Sequence, residues 1–309
     1  MSKANAWPAR LATIQVLLAA VLWSSGGLGV KSVEASALSL AGYRSLFAIP
    51  VLVLAASLEA RRKQISPWPM LRRKYVWMAA VSYAVMVTSF VASAKLTTAA
   101  NAILLQYTGP IYVALLSWPL LRERVRVIDW VATAGCVLGM VLFFLDKVSA
   151  EGRLGNLFAI ASSFGFAGVP LLMRLEQRAQ GASWPGLAAS PFVAMALGNA
   201  VSVLFCAREM IAHPLATPSA WLIVLGLGAV QIGAAYWLYG SAVGRMPALR
   251  STLLATIEPI LSPVWVALFR GELPTRWAVA GGSVILFSVT AQALVKGARQ
   301  PTPELPDSR

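Results

Sequence analysis

Ten apolar stretches, each about twenty residues long, fill this chain almost from end to end. A run of about 20 apolar residues is long enough to cross a bilayer as an α-helix. Within the hydrocarbon, only helices and closed barrels satisfy their own backbone hydrogen bonds. We therefore predict an all-α membrane protein of ten transmembrane helices, at residues 11–30, 36–58, 75–94, 98–121, 126–145, 154–174, 186–206, 219–243, 247–269 and 275–295.

The composition supports this class and argues against an enzyme. Of the 309 residues, 58% are hydrophobic and only 12% are charged, whereas soluble proteins carry about 25% charged residues. His213 is the only histidine, and Cys136 and Cys206 both lie inside apolar stretches. No cluster of histidine, cysteine and carboxylate residues suggests a metal site, and no serine–histidine pair suggests hydrolysis. We therefore predict a protein that is not an enzyme and that needs no metal and no cofactor.

The net charge of +14 could suggest a nucleic-acid partner. The basic residues, however, lie in short loops between apolar stretches, so we predict no nucleic-acid binding. If the N-terminus is inside, 18 of the 26 Lys and Arg residues fall on the inner side and seven on the outer side. By the positive-inside rule this predicts a multi-pass protein of a bacterial-type inner (plasma) membrane with both termini cytoplasmic. The first stretch is longer than the apolar core of a signal peptide, so we expect it to be retained.

The two halves of the chain resemble each other. Residues 104–111 match residues 253–260 at an offset of 149, which places Pro110 on Pro259 and Glu123 on Glu272. Each half holds five predicted spans, an odd number, so the second half would enter the membrane with the opposite orientation. Such inverted repeats are typical of secondary transporters. We predict a first five-helix repeat at 1–150, a second at 151–296 and a disordered cytoplasmic tail at 297–309.

Four short motifs accompany this repeat: Leu22-Trp23-Ser24-Ser25, Tyr43-Arg44, Pro110 followed by Glu123, and Glu258-Pro259 followed by Gly271-Glu272. Together with the two-copy arrangement, they make residues 11–295 similar to the drug/metabolite transporter superfamily, and specifically to its ten-helix EamA-type members. The resemblance implies an inner-membrane exporter of amino acids, amines or other small metabolites.

Two charged residues lie deep inside predicted spans, away from the span ends. Glu258 is near the middle of the ninth span, where an ionised group costs about 2.5–3.5 kcal/mol by insertion scales. It is either a site for a proton or cation, or a carboxylate that stabilises helix packing. Arg44 lies at a similar depth in the second span. It either pairs with Glu258, holds an anionic group of the substrate, extends to the outer headgroups or caps a neighbouring helix.

Other polar and aromatic residues inside the spans complete the candidate site. Pro110 and Pro259 each remove a backbone donor, which favours a bent helix around a cavity over a static kink. For the buried amides and phenols, hydrogen bonds between helices are the simpler interpretation, and for the aromatic rings it is packing. The predicted substrate cavity comprises Trp23, Arg44, Tyr83, Gln106, Tyr107, Pro110, Phe164, Tyr236, Glu258 and Pro259.

The sequence thus predicts a secondary transporter that moves a small organic metabolite by alternating access, with export favoured. The cavity would be lined by the first, third, fourth, sixth, eighth and ninth helices. Proton coupling through Glu258 and facilitated diffusion without coupling both stay open. A receptor or scaffold, or a channel without alternating access, is the alternative class. The expected partners are a small-molecule substrate and the lipid bilayer, with a monomer or homodimer as the assembly.

Overall fold

The computed structural model describes residues 3–146, 152–181, 184–261, 265, 268 and 275–298. Helices dominate this part of the chain, and no strand occurs within it. Two short 3₁₀ helices lie at Trp68–Arg72 and Pro185–Ala188, and a π-helical segment lies at Leu227–Ala234. The helices α1 to α13 are, in chain order, Lys3–Ser24, Gly26–Ser32, Ala37–Arg62, Lys74–Leu96, Ala99–Gln106, Gly109–Leu121, Val127–Phe143, Arg153–Gln180, Ser190–Ala212, Pro218–Gly226, Ala235–Val243, Ala248–Ala255 and Arg276–Ala298.

Eight helical segments within the described residues are long and apolar enough to cross a membrane, which confirms the predicted class. The fifth predicted span corresponds to the shorter helix α7. The ninth predicted span is described only in part, and Gly271 and Glu272 lie outside the described residues. A count of ten therefore stays a prediction. The eight segments are Arg10–Ser32, Ala37–Arg62, Lys74–Leu96, Ala100–Leu121, Arg153–Gln180, Ser190–Ala212, Pro218–Val243 and Arg276–Val295.

The last helix is longer than the sequence predicted. It continues to Ala298, so the first two residues of the predicted tail at 297–309 are helical. The rest of that tail lies outside the described residues.

Equivalent helices of the two halves of the chain pack against each other. Helix α3 packs on α9, α6 on α12, and α7 on α13, and each of these pairs joins equivalent spans of the two predicted repeats. Helix α4, from the third predicted span, packs on α8, from the sixth. The equivalent pair with the halves exchanged joins the eighth span to the first, and there α11 packs on α1. Two related halves that face each other across an axis would pack in this way. The predicted boundary near residue 150 lies outside the described residues.

Glycines let some of these helices approach closely. A Cβ added to Gly139 of α7 would lie 2.7 Å from Cγ1 of Ile285 on α13. A Cβ added to Gly281 of α13 would overlap the backbone of α7 at Gly139 and Phe143. Small residues bring helix backbones together in membranes, where packing replaces the hydrophobic effect as the driving force. The contact between α7 and α13 therefore depends on glycine at both of these positions.

The fourth and ninth spans are both interrupted, at matching places. The turn Tyr107-Thr108 separates α5 from α6, and the turn Thr256-Ile257 separates α12 from the helical residues 258–261. The two turns are 149 residues apart, which is the offset of the sequence repeat.

Each interruption is followed by one of the matched prolines. Pro110 lies in the first turn of α6, where a helix tolerates proline because those N–H groups have no partner within the helix. Pro259 follows the second break at the corresponding position. The sequence predicts bent helices at these prolines, and in the structure a two-residue turn interrupts each span shortly before its proline.

Candidate functional site

A small cavity of about 50 Å³ lies between the two halves of the chain. Its walls combine charged, amide, aromatic and aliphatic side chains. Seven of its lining residues precede position 150 and five follow it. The lining residues are Trp23, Arg44, Met86, Val87, Phe90, Gln106, Tyr107, Phe166, Gln231, Ile232, Tyr236 and Glu258. We call this space the central cavity.

The structure brings together most, but not all, of the predicted site residues. Tyr83 is fully buried and packs edge-on against Tyr236, with ring centroids 4.8 Å apart, so it lies behind the cavity wall. Pro110 and Pro259 are buried beside the two helix breaks and do not line the cavity. The predicted residues that do line it are Trp23, Arg44, Gln106, Tyr107, Tyr236 and Glu258.

Phe164 is a correction to the predicted site. Its side chain is 55% exposed and stacks on Tyr112, with ring centroids 4.4 Å apart. Phe166 lines the cavity instead and packs edge-on against Tyr107 at 5.5 Å. Two residues along an α-helix are about 200° apart around its axis, so the two phenylalanines point to opposite sides of α8. The predicted aromatic position on α8 is therefore two residues away from the one that lines the cavity.

Arg44 is buried in the cavity wall and only partly satisfied. Its side chain is 4% exposed, and Nη2 donates to Oε1 of Gln231 at 2.8 Å. Gln231 in turn donates through Nε2 to the backbone carbonyl of Trp23 at 3.3 Å. Nε and Nη1 of Arg44 have no hydrogen-bond partner among the described residues. The guanidinium is thus fixed by one neutral amide and keeps free donors.

The π-helical segment Leu227–Ala234 explains how Gln231 reaches Arg44. Short π-helical segments interrupt α-helices most often at functional sites. A Cβ added to Gly228 would lie 2.6 Å from the backbone carbonyl of Arg44, so α3 passes directly against this segment. Sequence reasoning interpreted Gln231 only as a link between helices. Nothing in the apolar pattern around it marks the π-helix.

Glu258 is held by a residue of the other half. The hydroxyl of Tyr107 donates to Oε2 of Glu258 at 2.5 Å and lies 3.0 Å from the carbonyl oxygen of Ala255, which ends α12. Tyr107 belongs to the first helix break, and Glu258 directly follows the second. The two interruptions therefore meet, and together they position the Glu258 carboxylate in the wall of the central cavity.

Arg44 and Glu258 line the same cavity but do not form an ion pair. Within the described part of the chain, the ion pairs closer than 4.0 Å are Arg62–Glu59, Arg174–Glu123 and His213–Glu209. Arg44 and Glu258 therefore make no direct contact, although their charges interact across the cavity. The physical reason is that each group is already held elsewhere, by Gln231 and by Tyr107.

An aromatic cluster closes one side of the central cavity. The ring of Trp23 lies 4.7 Å from that of Tyr236 and 5.4 Å from that of Tyr239. Along α11, Tyr236 lines the central cavity, whereas Gly240 and Gly244 line a second, larger cavity. The rings of Trp23, Tyr236 and Tyr239 thus separate the two spaces.

The second cavity measures about 430 Å³ and lies at the end of the helices that is predicted to face the cytoplasm. We call it the inner vestibule. Glu59 is its only acidic residue within the described part of the chain, against four basic ones. These are Arg62, Lys63, Arg174 and Arg245.

A hydrogen-bonded network joins the two halves beside this vestibule. Arg174 donates to Oε1 of Glu123 through Nη2 at 2.6 Å and through Nε at 3.0 Å. Arg174 also donates through Nη1 to Oε1 of Gln177 at 2.6 Å, and Gln177 donates to the carbonyl of Gly244 at 2.9 Å. Glu123 belongs to the first half and the other three residues to the second. The network therefore connects the inner ends of the halves.

Comparison with known proteins points to transport. A family model described as the EamA-like transporter family matches the chain twice, over residues 10–145 and 153–291. The uncharacterized transporter YwfM of Bacillus subtilis is 27% identical over 270 residues, which cover 85% of this chain and 87% of that protein. An uncharacterized transporter of Archaeoglobus fulgidus is 26% identical over 274 residues, which cover 89% of this chain and 93% of that protein.

The same fold occurs in a protein whose crystal structure is known. The two chains superpose with a TM-score of 0.73 at 20% sequence identity, over 92% of this chain and 98% of the other. At this identity the likeness concerns the fold alone.

Proposed function

Because the chain belongs to the EamA-like transporter family, a family of multi-pass membrane transporters, we propose that it is a secondary transporter with alternating access. In this proposal it moves a small organic metabolite outward across the inner (plasma) membrane. The observation that carries the proposal is the central cavity, whose walls come from both halves and hold one arginine and one glutamate.

The size of the central cavity supports alternating access. Liquid water occupies about 30 Å³ per molecule, and a cavity of about 150 Å³ is needed for benzene. At about 50 Å³, the cavity holds a water or two but no complete metabolite. Binding therefore requires the halves to separate, and the same movement opens the site toward one side of the membrane.

The barrier on the inner side supports a transporter over a channel. A channel offers a continuous pore when it is open. Here, the rings of Trp23, Tyr236 and Tyr239 fill the space between the central cavity and the inner vestibule. The network around Arg174 also bonds the halves together at that end. Both features would have to break for a solute to pass inward or to enter from the cytoplasm.

The proposal is tested by flux across sealed vesicles. Purified protein is first screened by thermal shift against amino acids, amines, nucleosides and organic acids. Each compound that stabilises the protein is then followed by counterflow in proteoliposomes. Saturable exchange that depends on the protein supports a transporter. Stabilisation without any flux favours a receptor or scaffold, and unsaturable flux favours a channel.

Coupling to protons through Glu258 is a finer part of the proposal. Glu258→Gln keeps the size of the side chain and an acceptor for the Tyr107 hydroxyl, but it cannot exchange a proton. In proteoliposomes with an imposed pH gradient, we expect this variant to retain exchange and to lose accumulation of the solute. Uphill transport equal to that of the wild type would remove Glu258 from the coupling role and would favour another proton site, whereas the absence of uphill transport in the wild type itself would favour facilitated diffusion. Glu59→Gln, at the surface of the inner vestibule, is the matched control.

A further inference from the structure

We propose that the transported solute carries a single carboxylate, and that Arg44 binds this carboxylate in the central cavity. The inference rests on the proposed transport function and narrows its substrate class. The remaining wall of the cavity is mostly aromatic and aliphatic, and it would contact the rest of the solute. The expected solute is therefore a monocarboxylate with an apolar or aromatic body.

The first support is the set of hydrogen-bonding atoms that have no partner. In the wall of the central cavity, the buried side-chain atoms without a partner among the described residues are Nε and Nη1 of Arg44 and Nε1 of Trp23. All of them are donors. A buried donor without an acceptor is unfavourable. These donor atoms are therefore best satisfied by a group that supplies only acceptors. A carboxylate is such a group.

The second support is the charge of Arg44. Its one side-chain partner, Gln231, is neutral, and no carboxylate of the described residues lies within ion-pair distance. A guanidinium binds a carboxylate through two parallel hydrogen bonds, which fixes both its charge and its orientation. A neutral carbonyl could accept one of these bonds but could not form the paired, charge-assisted bonds that a carboxylate forms.

The third support limits the solute to one negative charge and an apolar body. Arg44 is the only basic residue that lines the central cavity within the described part of the chain. Glu258 lines it as well and would repel a second anionic group. The remaining wall is largely apolar and includes Phe90, Phe166 and Ile232. These side chains suit a hydrophobic ring or chain, and they provide few partners for a sugar or a phosphate.

The fourth support is the charge of the inner vestibule. Four basic side chains face one acidic side chain around this space, and a second acid, Glu123, pairs with one of them, Arg174, so an excess of positive charge is left. A cleft lined mostly by one sign of charge raises the local concentration of ions of the other sign. An anionic solute would therefore be enriched at the cytoplasmic entrance that export requires.

The test compares three compounds that share a phenyl ring and chain length: 3-phenylpropionate, 3-phenylpropionamide and 3-phenylpropylamine. Binding to the wild-type protein in detergent is measured by calorimetry. We expect 3-phenylpropionate to bind at least about tenfold more tightly than the other two. This comparison needs no variant, so it is independent of any effect of mutation on folding.

Variants then test whether Arg44 is the residue that binds the carboxylate of the solute. Arg44→Gln should weaken binding of 3-phenylpropionate by about tenfold or more, because it removes the charge and the paired donors. Gln231→Glu keeps an acceptor for Arg44 but neutralises its charge within the protein, so this variant should also lose the carboxylate preference. Arg208→Gln changes an exposed arginine of α9 outside both cavities and should bind like the wild type.

Several results would overturn the inference. These are tighter binding of the amide or amine than of the carboxylate, wild-type binding by Arg44→Gln, and no binding of 3-phenylpropionate at millimolar concentration. Counterflow separates this inference from the proposed function. If the protein exchanges a solute without a carboxylate, transport stands and the carboxylate inference fails. If 3-phenylpropionate binds through Arg44 but no compound is exchanged, the carboxylate site stands and the transport function fails.

Discussion

Arg44 shows how much a single buried side chain depends on its neighbour. One edge of its guanidinium is anchored by Gln231, and this anchor leaves the rest of the group available in the cavity wall. The arginine is thereby held in position before any ligand arrives. A site that is organised in advance loses less entropy on binding.

We predict that Gln231→Leu destabilises the protein. The substitution removes the acceptor of Nη2 of Arg44 and leaves a further buried donor unsatisfied, which costs about 1–3 kcal/mol. The melting temperature in detergent should fall accordingly. Val230→Leu changes the neighbouring residue of the same π-helical segment, whose side chain is 51% exposed, and should leave the melting temperature nearly unchanged. Equal melting temperatures for Gln231→Leu and the wild type would contradict this role of Gln231.

At the residue scale, the sequence identified the buried charged residues of the site better than it identified the orientation of the side chains around them. Glu258 and Arg44 could be selected because an ionisable group inside an apolar span is unusual, and both line the central cavity. Tyr107 was selected as well, but Gln231 was not, and neither hydrogen bond could be predicted, because a helix break and a π-helical segment turn these side chains in directions that an ideal helix would not predict. The choice of Phe164 failed because an aromatic residue inside an apolar span does not show which side of the helix faces the cavity.

At the scale of helices, the two interruptions matter most. Each releases backbone groups from the helical pattern in the middle of a span, and in a membrane such groups are tolerated only inside protein or beside a cavity. The first break places the Tyr107 hydroxyl, and the second places the Glu258 carboxylate. The positions of the apolar helices followed from the apolar stretches of the sequence alone. The breaks were indicated only by the prolines, which predict a disturbed helix but not its form.

We predict that the contact between α7 and α13 requires glycine at position 281. Gly281→Leu would force a side chain into the backbone of α7, and overpacking of this kind costs about 1–3 kcal/mol. Gly226→Ala is the control, because a Cβ at this position has no atom within 4 Å. Thermal unfolding in detergent should show a clear loss of stability for the first variant and none for the second. Equal stability of the two variants would mean that α7 and α13 do not pack closely.

At the scale of the whole molecule, membrane orientation can be tested directly. Both native cysteines, Cys136 and Cys206, are free and buried, so an introduced thiol at the surface reacts selectively. We predict that Lys63→Cys is protected from an impermeant maleimide in intact cells and reacts after permeabilisation. His213→Cys should react in intact cells. The reverse pattern would place the vestibule and both termini outside the cell.

The network around Arg174 should control how readily the inner ends separate. Glu123→Gln removes the ion pair between the halves, so we predict a larger distance between spin labels at Arg124→Cys and Arg245→Cys. Double electron–electron resonance in nanodiscs measures this distance. Glu59→Gln is the control, because the Arg62–Glu59 pair lies within α3 alone. An unchanged distribution for Glu123→Gln would mean that the network does not hold the inner side closed.

The helical membrane class of the chain was predictable, since long apolar stretches predict membrane helices before any contact is known. The sequence did not predict whether the cavities are open or closed. That state depends on how the rings of Trp23, Tyr236 and Tyr239 meet, and no pattern of residue types encodes such an arrangement.

The matched breaks have a consequence for the kinetics of the protein. Counting back 149 residues from Glu258 leads to Gly109, so the interruption is duplicated while the acid is not. A solute that arrives from one face of the membrane therefore meets the carboxylate in a different place from a solute that arrives from the other. We expect half-saturation concentrations to differ between the two faces, even though the backbone around the site is nearly the same from both directions.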